Sequence, residues 1–559
     1  MNQAAYSLSQ VSVLALAFFL SIFLALICTP MADRLAGFLG CVDEPGQRKI
    51  HSGRITRLGG VAMAAPLLVN ILFFAGLSRQ MAAFLAGAGV IFMAGLADDK
   101  NGLNPAVKFI LQIIAVLLFM VLGGTYLQDL GDIAGTGALT LGAAGPVVTV
   151  VAMAGVINSF NLSDGLDGLA AGITAIACLF FIPFAYAQEN WFYLVALVSL
   201  LGVILGFLRF NSHPARLFMG DSGSLLLGFC MAAAAVVLTQ GQGPGKGYQP
   251  VTALIILSLP IADTLYVMAA RILQGKSPVQ PDRTHIHHRL MDAGFSHQLT
   301  VSGIYCFMLG MGVLAWLIRP APEWAQFYFV LGIYAVLYAG LYFLEGLTVA
   351  RGIKVGFNLS LRPTSARGQY LLRRIAGKSR LVQPVFSLAL IPAVFMARDV
   401  PLEFRYYILF VLLFGICFYP WKGRMEEAGM GHAVVFFSLY SLLLVLNLSA
   451  PSYFRLDEYL SLVSLLALIW TGLRVMKTRR VRVLWPGSFE ILLLGTAMVA
   501  PIIIHYSFFM GFDFRWQMLI SFFQAVPLFL LNKAFLRRKP AKIRNTALFI
   551  WVLLALCLV

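Results

Sequence analysis

The sequence predicts an all-α polytopic membrane protein with about 18 transmembrane helices. Of its 559 residues, 60% are hydrophobic and only 12% are charged. Apolar runs of about 20 residues recur from one end of the chain to the other, and each is long enough to cross a hydrocarbon core of roughly 30 Å. A soluble chain does not expose or bury so much apolar surface, so the composition excludes a soluble fold.

The apolar runs fall into two blocks. The first run, residues 11–28, has no basic segment before it and no small-residue cleavage site after it, so we interpret it as a retained helix rather than a signal peptide. The runs before residue 348 are 11–29, 58–77, 81–97, 105–122, 143–160, 169–187, 191–208, 222–239, 251–270, 301–318 and 325–344. Those after residue 380 are 381–397, 404–420, 432–449, 458–474, 487–507, 515–532 and 545–559.

The net charge of +17 is explained by membrane topology. If the N-terminus lies outside and the runs alternate, few of the 41 Lys and Arg residues fall on outer loops. These few are Arg79, Lys246, Arg319, Arg398, Arg405, Arg455 and Arg515. Such a bias follows the positive-inside rule. Anionic lipids of the inner leaflet therefore account for the charge, and no nucleic-acid partner is needed.

Three domains are predicted. Residues 1–348 form a transmembrane block of eleven helices, and residues 349–380 form a basic cytoplasmic linker that we interpret as amphipathic. Residues 381–559 form a C-terminal transmembrane domain of about seven further helices, without clustered acids and without an assignable role. The seven Cys residues are scattered without a CxxC pair, which argues against a disulfide framework.

Unusual polar clusters interrupt the first block, and on this topology all of them face the cytoplasm. The first, LADDKNGLNP, places Asp98 and Asp99 at the end of the third run. Adjacent carboxylates repel unless a cation lies beside them. Lys100 and Lys108 are the nearest candidates for that charge, and a solvated helix end is the alternative interpretation.

The second cluster is NSFNLSDGLDGLAAG, residues 158–172. Asp164 and Asp167 are three residues apart and share a face if the segment is helical, and Asn158 and Asn161 repeat that spacing. Gly165 allows a ligand to approach the backbone. A simple turn would need Gly and Asn but not two acids, so the pattern favours a binding site.

The third cluster, RFNSHPARLFMGDSGSLLLG, places Asp221 between Gly220 and Ser222 at the start of a run. An Asp in this position can be a helix cap. The Gly-Asp-Ser-Gly-Ser stretch can also present backbone N–H groups to a phosphate at a helix N-terminus. Both interpretations stay open on the sequence.

The fourth cluster, SPVQPDRTHIHHRLMDAGFS, places His285, His287 and His288 between Arg283 and Arg289. Three His residues could hold zinc. No Cys or Glu lies near them, however, and Arg with His suits an anionic ligand better than a metal. A solvated loop is the remaining alternative.

Another acid, Asp263, falls inside the ninth run, where a carboxylate is costly unless it is functional or paired. Carboxylates, amides and cationic side chains at one membrane boundary suit Mg²⁺, or Mn²⁺, together with phosphate groups. The chemistry that this combination indicates is phosphoryl transfer, which depends mainly on positioning and on charge neutralisation.

At these residues the sequence resembles the polyprenyl-phosphate N-acetylhexosamine-1-phosphate transferases, which initiate O-antigen, common-antigen and teichoic-acid synthesis. The resemblance covers about the first 345 residues, through LADDK, NSFNLSDGLDGLAAG, FNSHPARLFMGDSGSLLLG and PDRTHIHHRLMDAGF in the family's order. It implies metal ligands at Asp221 and Asn161. It implies catalytic roles for Asp98, Asp99, Asp164, Asp167 and His288, and substrate contacts from Asn158, Gly165, Leu166, Asn211, Arg283, His285 and His287.

The resemblance further implies transfer of N-acetylglucosamine 1-phosphate from a UDP-sugar to undecaprenyl phosphate at the cytoplasmic face of the bacterial inner membrane. UMP would be released, and Mg²⁺ would be the cofactor. Direct attack and a covalent carboxylate intermediate both fit the residues. A multi-pass transporter or flippase is the alternative function. A homodimer, and contacts of the C-terminal half with later pathway enzymes, are further expectations.

Overall fold

The computed structural model describes residues 8–39, 42–43, 55–240, 248–277 and 284–351, together with scattered helical positions between 412 and 554. The chain divides into two compact units, Met1–Gly356 and Phe357–Val559. The helices of the first unit are α1 (Leu8–Leu39), α2 (Gly59–Phe74), α3 (Arg79–Asn101), α4 (Pro105–Gly123), α5 (Gly145–Leu162), α6 (Leu169–Ala187), α7 (Trp191–Asn211), α8 (Gly220–Gln240), α9 (Pro250–Ile256), α10 (Ser258–Leu273), α11 (Ile286–Asp292), α12 (His297–Ile318) and α13 (Glu323–Arg351).

The prediction of a helical, multi-pass membrane protein is confirmed. In the described part of the chain, 9 helices are long and apolar enough to cross a membrane, or 10 if the bent pair α9–α10 counts as one span. Every apolar run predicted before residue 348 lies on one of these helices or on the shorter α2. The total of 18 spans and the outer N-terminus stay predictions, because the runs after residue 380 lie outside the described residues apart from single positions.

The ninth predicted run, 251–270, is not one straight helix. It divides at Leu257 into α9 and α10, which meet at 80°. Pro260 lies in the first turn of α10, where a missing N–H costs least. The Ser258 hydroxyl donates to the Ile255 carbonyl at 2.7 Å and accepts from the Tyr334 hydroxyl at 2.8 Å. Side chains thus satisfy the polar groups that the break exposes.

The core of the unit is built from α6, α7 and α8, which are buried on nearly all sides. Their sequences are apolar all round, as expected of helices enclosed by other helices. In contrast, α4 and α13 expose large apolar side chains, including Phe109, Val121, Phe329 and Phe343, on the outside of the bundle. These outer faces are suited to lipid contact.

Close packing of α3 on the start of α8 depends on Gly95. A Cβ atom on Gly95 would lie 2.5 Å from the Ser222 backbone nitrogen. We expect Gly95→Ala to lower the melting temperature in detergent, because such overpacking costs about 1–3 kcal/mol. The matched control is Gly89→Ala on the same helix, where the added methyl group meets no atom within 4 Å.

The control variant should melt at or above the wild-type temperature, since Ala is favoured over Gly in a helix interior by about 0.5–1 kcal/mol. Equal melting temperatures for the two variants would contradict the close contact between α3 and α8.

A short strand pair departs from the all-helical prediction. β1 (Val42–Asp43) and β2 (Ile55–Thr56) pair antiparallel, and the Thr56 carbonyl then accepts from the Phe218 N–H at 2.9 Å. Next to it, the Gly59 and Gly60 N–H groups donate to the Phe218 and Met219 carbonyls at 3.0 and 2.8 Å. Because these bonds hold the segment that leads into α8, they place the N-terminus of α8 beside α2.

The predicted division into three domains stays a prediction. Helix α13 continues to Arg351, past the predicted domain limit at residue 348. The rest of the linker 349–380 lies outside the described residues, as does most of the C-terminal domain 381–559. The predicted roles of both segments therefore stay predictions.

Candidate active site

The C-terminal end of α3 meets the N-terminus of α8 through Asp99. Its carboxylate accepts hydrogen bonds from the Asp221 N–H at 2.7 Å, the Ser222 N–H at 3.0 Å and the Ser222 hydroxyl at 2.6 Å. An acid at the N-terminus of a helix satisfies free N–H groups and complements the helix dipole. Asp99 therefore fixes the position of Asp221, and its predicted role toward the lipid phosphate stays a prediction.

Glycine is required immediately before Asp221. Gly220 has φ +68°, and a Cβ atom there would lie 2.6 Å from both carboxylate oxygens of Asp99. Only Gly adopts this backbone conformation at low cost and also leaves room for the carboxylate. The Gly-Asp-Ser sequence is thus explained by the contact between α3 and α8.

One cation joins two of the predicted acids. The Lys108 ammonium donates to Asp98 Oδ2 at 3.1 Å and forms a second ion pair with Asp221 Oδ2. The Leu103 N–H also donates to Asp98 Oδ1 at 2.5 Å. The expected cation beside Asp98 and Asp99 is present for Asp98, as Lys108, whereas Asp99 accepts from N–H groups of α8 and Lys100 is exposed.

The turn between α5 and α6 carries two acids, Asp164 and Asp167, whose pKa values shift in opposite directions. Burial, followed by the charges of Asp221, Asp99 and Asp167, raises the pKa of Asp164 well above its usual value. Burial would also raise the pKa of Asp167, but hydrogen bonds from His213 and from the Ala215 N–H outweigh it and lower that pKa. Carboxyl groups whose pKa values are driven apart are typical of catalytic sites.

The predicted Asn residues have different environments. Asn158 exchanges side-chain hydrogen bonds with Gln112, at 2.6 and 3.3 Å. Asn161 donates from Nδ2 to Ser224 Oγ at 2.8 Å, which leaves Oδ1 as the atom it offers to a ligand. Asn211 is buried and joins the Gly168 N–H to the Leu217 carbonyl, both at 3.0 Å, so in this structure it braces two loops.

The His cluster packs on the same turn. His287 is buried against Gly165, where a Cβ atom would lie 2.8 Å from its Cε1, and His288 lies beside it with ring centroids 4.3 Å apart. Leu166 of the turn is buried in the core. Arg283 lies outside the described residues.

Asp263, the acid inside the ninth apolar run, has its partner in the His cluster. Asp263 pairs with His285 Nδ1 at 2.8 Å and accepts from the Ile286 N–H at 2.9 Å. Arg289 forms a two-pronged ion pair with Glu345 of α13, at 2.6 and 2.9 Å. These contacts fix α11 to α10 and α13. The Nδ1 atom of His285 is occupied by its bond to Asp263.

Protonation of His287 should couple to stability. Burial, followed by the neighbouring His288 and His285, lowers the pKa of His287 from 6.5 to about 3. Between these values the unfolded chain binds a proton that the folded chain does not, so the free energy of unfolding falls as the pH falls from 6.5 toward 3. Melting temperatures measured from pH 7.5 to 4.5 should decline less steeply for His287→Gln than for the wild type. Parallel declines would contradict a neutral, buried imidazole.

The four sequence clusters therefore meet at one end of the helices. Asp98, Asp99 and Asp221 contact one another through Lys108 and the N-terminus of α8. Asp164 feels the charges of Asp99 and Asp221, and its neighbour Gly165 touches His287.

Sequence reasoning missed three polar residues of this region. Gln112 is a buried amide inside an apolar run, which is itself a signal of function or pairing. His213 lies within the third motif and His297 directly follows the fourth, but their meeting at Asp167 depends on tertiary structure.

Comparisons with known proteins show which family this chain resembles. Residues 81–239 match the family described as glycosyl transferase family 4. The chain is 34% identical over 322 residues to a probable undecaprenyl-phosphate N-acetylglucosaminyl 1-phosphate transferase of Bacillus subtilis (strain 168), covering 57% of this chain and 88% of that protein.

Two further relatives are named undecaprenyl-phosphate alpha-N-acetylglucosaminyl 1-phosphate transferase. The protein of Escherichia coli (strain K12) is 30% identical over 331 residues, covering 58% of this chain and 88% of its own length. The protein of Salmonella typhimurium (strain LT2) is 32% identical over 358 residues, covering 61% of this chain and 92% of its own length.

The fold and the site define a polytopic helical membrane protein with a carboxylate-rich centre at the ends of its helices. Within that class, the chain belongs to the family of polyprenyl-phosphate N-acetylhexosamine-1-phosphate transferases.

Proposed function

We propose that the chain transfers N-acetylglucosamine 1-phosphate from a UDP-sugar to undecaprenyl phosphate, giving undecaprenyl-diphospho-sugar and UMP. The observation that carries the proposal is the meeting of Asp98, Asp99, Asp164 and Asp221 with Lys108 at one end of the bundle. The names of the relatives give undecaprenyl phosphate and N-acetylglucosaminyl 1-phosphate transfer for those proteins, and the range 81–239 of this chain that matches the family includes all five of these residues.

The residues present fit a Mg²⁺ ion. Mg²⁺ prefers oxygen ligands and is commonly held by one or two carboxylates together with substrate phosphates. Asp221 and the Oδ1 atom of Asn161 would hold it, and the Lys108 ammonium already places a positive charge between Asp98 and Asp221. When bound, the ion would neutralise charge on the diphosphate, and Mn²⁺ has the same oxygen preference.

The chain's own residues supply the rest of the chemistry. We call Asp98, Asp99, Asp164 and Asp221 the acidic centre. Within it, the Asp99 carboxylate accepts from the first N–H groups of α8 and so holds Asp221 in place. His287, with a pKa of about 3, acts as a neutral hydrogen-bonding group rather than as a cation. Burial, followed by the charges of Asp221, Asp99 and Asp167, raises the pKa of Asp164, so this carboxyl takes up a proton more readily than an exposed acid. Such a carboxyl can accept or release a proton as charges on phosphate change.

The test is release of UMP by the purified full-length chain in detergent. UDP-N-acetylglucosamine and UDP-N-acetylgalactosamine are each supplied with undecaprenyl phosphate and Mg²⁺, and the lipid product is identified by mass spectrometry. We expect equal amounts of UMP and lipid-diphospho-sugar, with faster release from UDP-N-acetylglucosamine. Movement of a substrate across vesicles without UMP would instead support a transporter or flippase.

The two chemical routes are separated by an exchange experiment. In the covalent route, a carboxylate oxygen attacks the sugar-bearing phosphorus and UMP leaves before the lipid binds. Labelled UMP would then enter UDP-sugar without lipid phosphate. In the direct route, a lipid phosphate oxygen attacks the same phosphorus, and exchange requires the lipid.

We infer that the site faces the cytoplasm, that the N-terminus lies outside and that about 18 spans are present. The bias of Lys and Arg toward the loops on the site's side supports this topology. Fusions of a reporter after residues 213 and 243 should report the inside and the outside, respectively. The reverse result would invert the topology and place the site outside, away from cytosolic UDP-sugars.

The C-terminal unit is proposed to be accessory, either in forming a homodimer or in binding later enzymes of the pathway. Truncation after Lys378 tests this role. We expect the truncated protein to keep releasing UMP. We also expect it to lose the dimer on size-exclusion chromatography, or to lose transfer of the lipid product to the next enzyme. Loss of folding together with activity would assign the unit to the catalytic protein itself.

A further inference from the structure

A second polar cluster lies beside the acidic centre and is built from Asp167, His213 and His297. One ligand atom from each residue lies within 4.8 Å of the other two. His213 Nδ1 is 2.7 Å from Asp167 Oδ2, and the rings of His213 and His297 are stacked at 3.9 Å with an angle of 19°. The three residues come from the α5–α6 turn, the α7–α8 loop and the first turn of α12.

The position of His297 is costly without a further partner. Within the described part of the chain, both of its ring nitrogens are buried and neither has a hydrogen-bond partner. An unsatisfied buried polar atom costs about 1–3 kcal/mol. The ring lies in the first turn of α12, is stacked on the His213 imidazole, and has a carboxylate oxygen of Asp167 within 4.8 Å of a ring nitrogen. A neutral imidazole in this position is suited to coordinate a cation.

We propose that Asp167, His213 and His297 bind a divalent transition-metal ion of the Zn²⁺ class. Two imidazoles and one carboxylate are typical ligands of Zn²⁺ and Co²⁺, and three protein ligands leave a further position for water or another ligand. Mg²⁺ prefers oxygen ligands, so the acidic centre and this cluster select different ions. The inference does not depend on the transfer reaction.

The bound ion would join three segments that border the acidic centre. Asp167 lies three residues after Asp164 in the same turn, and His213 lies in the loop that leads into Asp221. Coordination by all three residues would hold the turn, the loop and the start of α12 together. The ion would therefore stabilise the surroundings of the site without contacting Asp221 itself.

The test uses the untagged full-length protein in detergent, freed of metal by a chelator. The protein is then dialysed into buffer containing Mg²⁺, which occupies sites that have only oxygen ligands. Co²⁺ is then titrated, because Co²⁺ in a four-coordinate nitrogen–oxygen site absorbs strongly in the visible range. We expect one Co²⁺ per chain and displacement of the signal by Zn²⁺. His297→Asn and His213→Asn should each weaken Co²⁺ binding by at least about 10- to 100-fold, the loss that follows even when a residue supporting a metal ligand is removed.

Asp221→Asn is the matched control, since it removes a carboxylate of the acidic centre and should leave the Co²⁺ spectrum unchanged. Zn²⁺ should also raise the melting temperature of the wild type but not that of His297→Asn. His213→Asn serves as the deciding variant if His297→Asn does not fold, because the His213 side chain is 37% exposed. Absence of a Co²⁺ signal in the wild type, or an equal signal in the folded His variants, would overturn the proposal.

Discussion

Asp221→Asn is expected to lower the rate of UMP release about 100- to 1,000-fold, the usual effect of removing one preorganised electrostatic group from a catalytic site. The substitution keeps the size of the side chain and leaves the backbone N–H that donates to Asp99. It removes the negative charge that pairs with Lys108 and that would hold Mg²⁺. UMP release at saturating UDP-sugar and lipid measures the effect. The rise in melting temperature on adding Mg²⁺ should also disappear.

The matched control is Asp132→Asn. Asp132 lies in the loop between α4 and α5, at the far end of α4 from the acidic centre, where its carboxylate accepts from the Gly137 N–H at 3.0 Å. This variant should keep wild-type turnover and the Mg²⁺-induced rise in melting temperature. If the two variants were equally active, the acidic centre would not be the site of phosphoryl transfer.

Lys108→Met is expected to lower UMP release by about 10- to 150-fold, because a hydrogen bond to a charged group contributes about 1.5–3 kcal/mol. The Lys108 ammonium forms ion pairs with both Asp98 and Asp221, and an apolar side chain would leave these neighbouring carboxylates without that cation. The melting temperature should fall as well. Added Mg²⁺ should restore part of that loss, because a cation between the acids replaces the missing charge.

Lys100→Met provides the comparison within the same motif. Lys100 is exposed at the end of α3, so its loss should change neither turnover nor the melting temperature beyond the small effect of a surface charge. Equal losses in both Lys variants would mean that net charge at the membrane surface, rather than the contact with Asp98 and Asp221, controls activity.

The main elements of the fold were predictable because each follows from local composition. About twenty consecutive apolar residues predict a membrane-spanning helix, so the long apolar helices before residue 348 were located from the chain alone, whereas the short α11 was not. The break at Leu257 was missed, because the run 251–270 is apolar enough overall to predict one span, and the bend involves Pro260 and the tertiary partner Tyr334.

Most residues of the acidic centre were also predictable, because acidic side chains are rare in apolar segments and are usually functional or paired there. The contacts that these residues make with one another were not predictable. Asp99 could be a metal ligand, a base or a cap on the sequence, and the structure shows it bound to N–H groups 122 and 123 residues further along the chain. Likewise, the sequence offered two Lys residues for the acids, and the packing of α4 selects Lys108.

By itself the sequence determined that this is a multi-pass helical membrane protein with its polar chemistry collected in four short motifs, since hydropathy and the cost of buried charge act locally. Only the tertiary structure decided which of those polar groups meet. The contacts of Asp263 with His285, of Asp99 with the start of α8 and of Asp167 with His213 and His297 join residues that are far apart in the chain. Such contacts depend on how the helices pack, and a local pattern of residues does not show which distant segment will lie beside it.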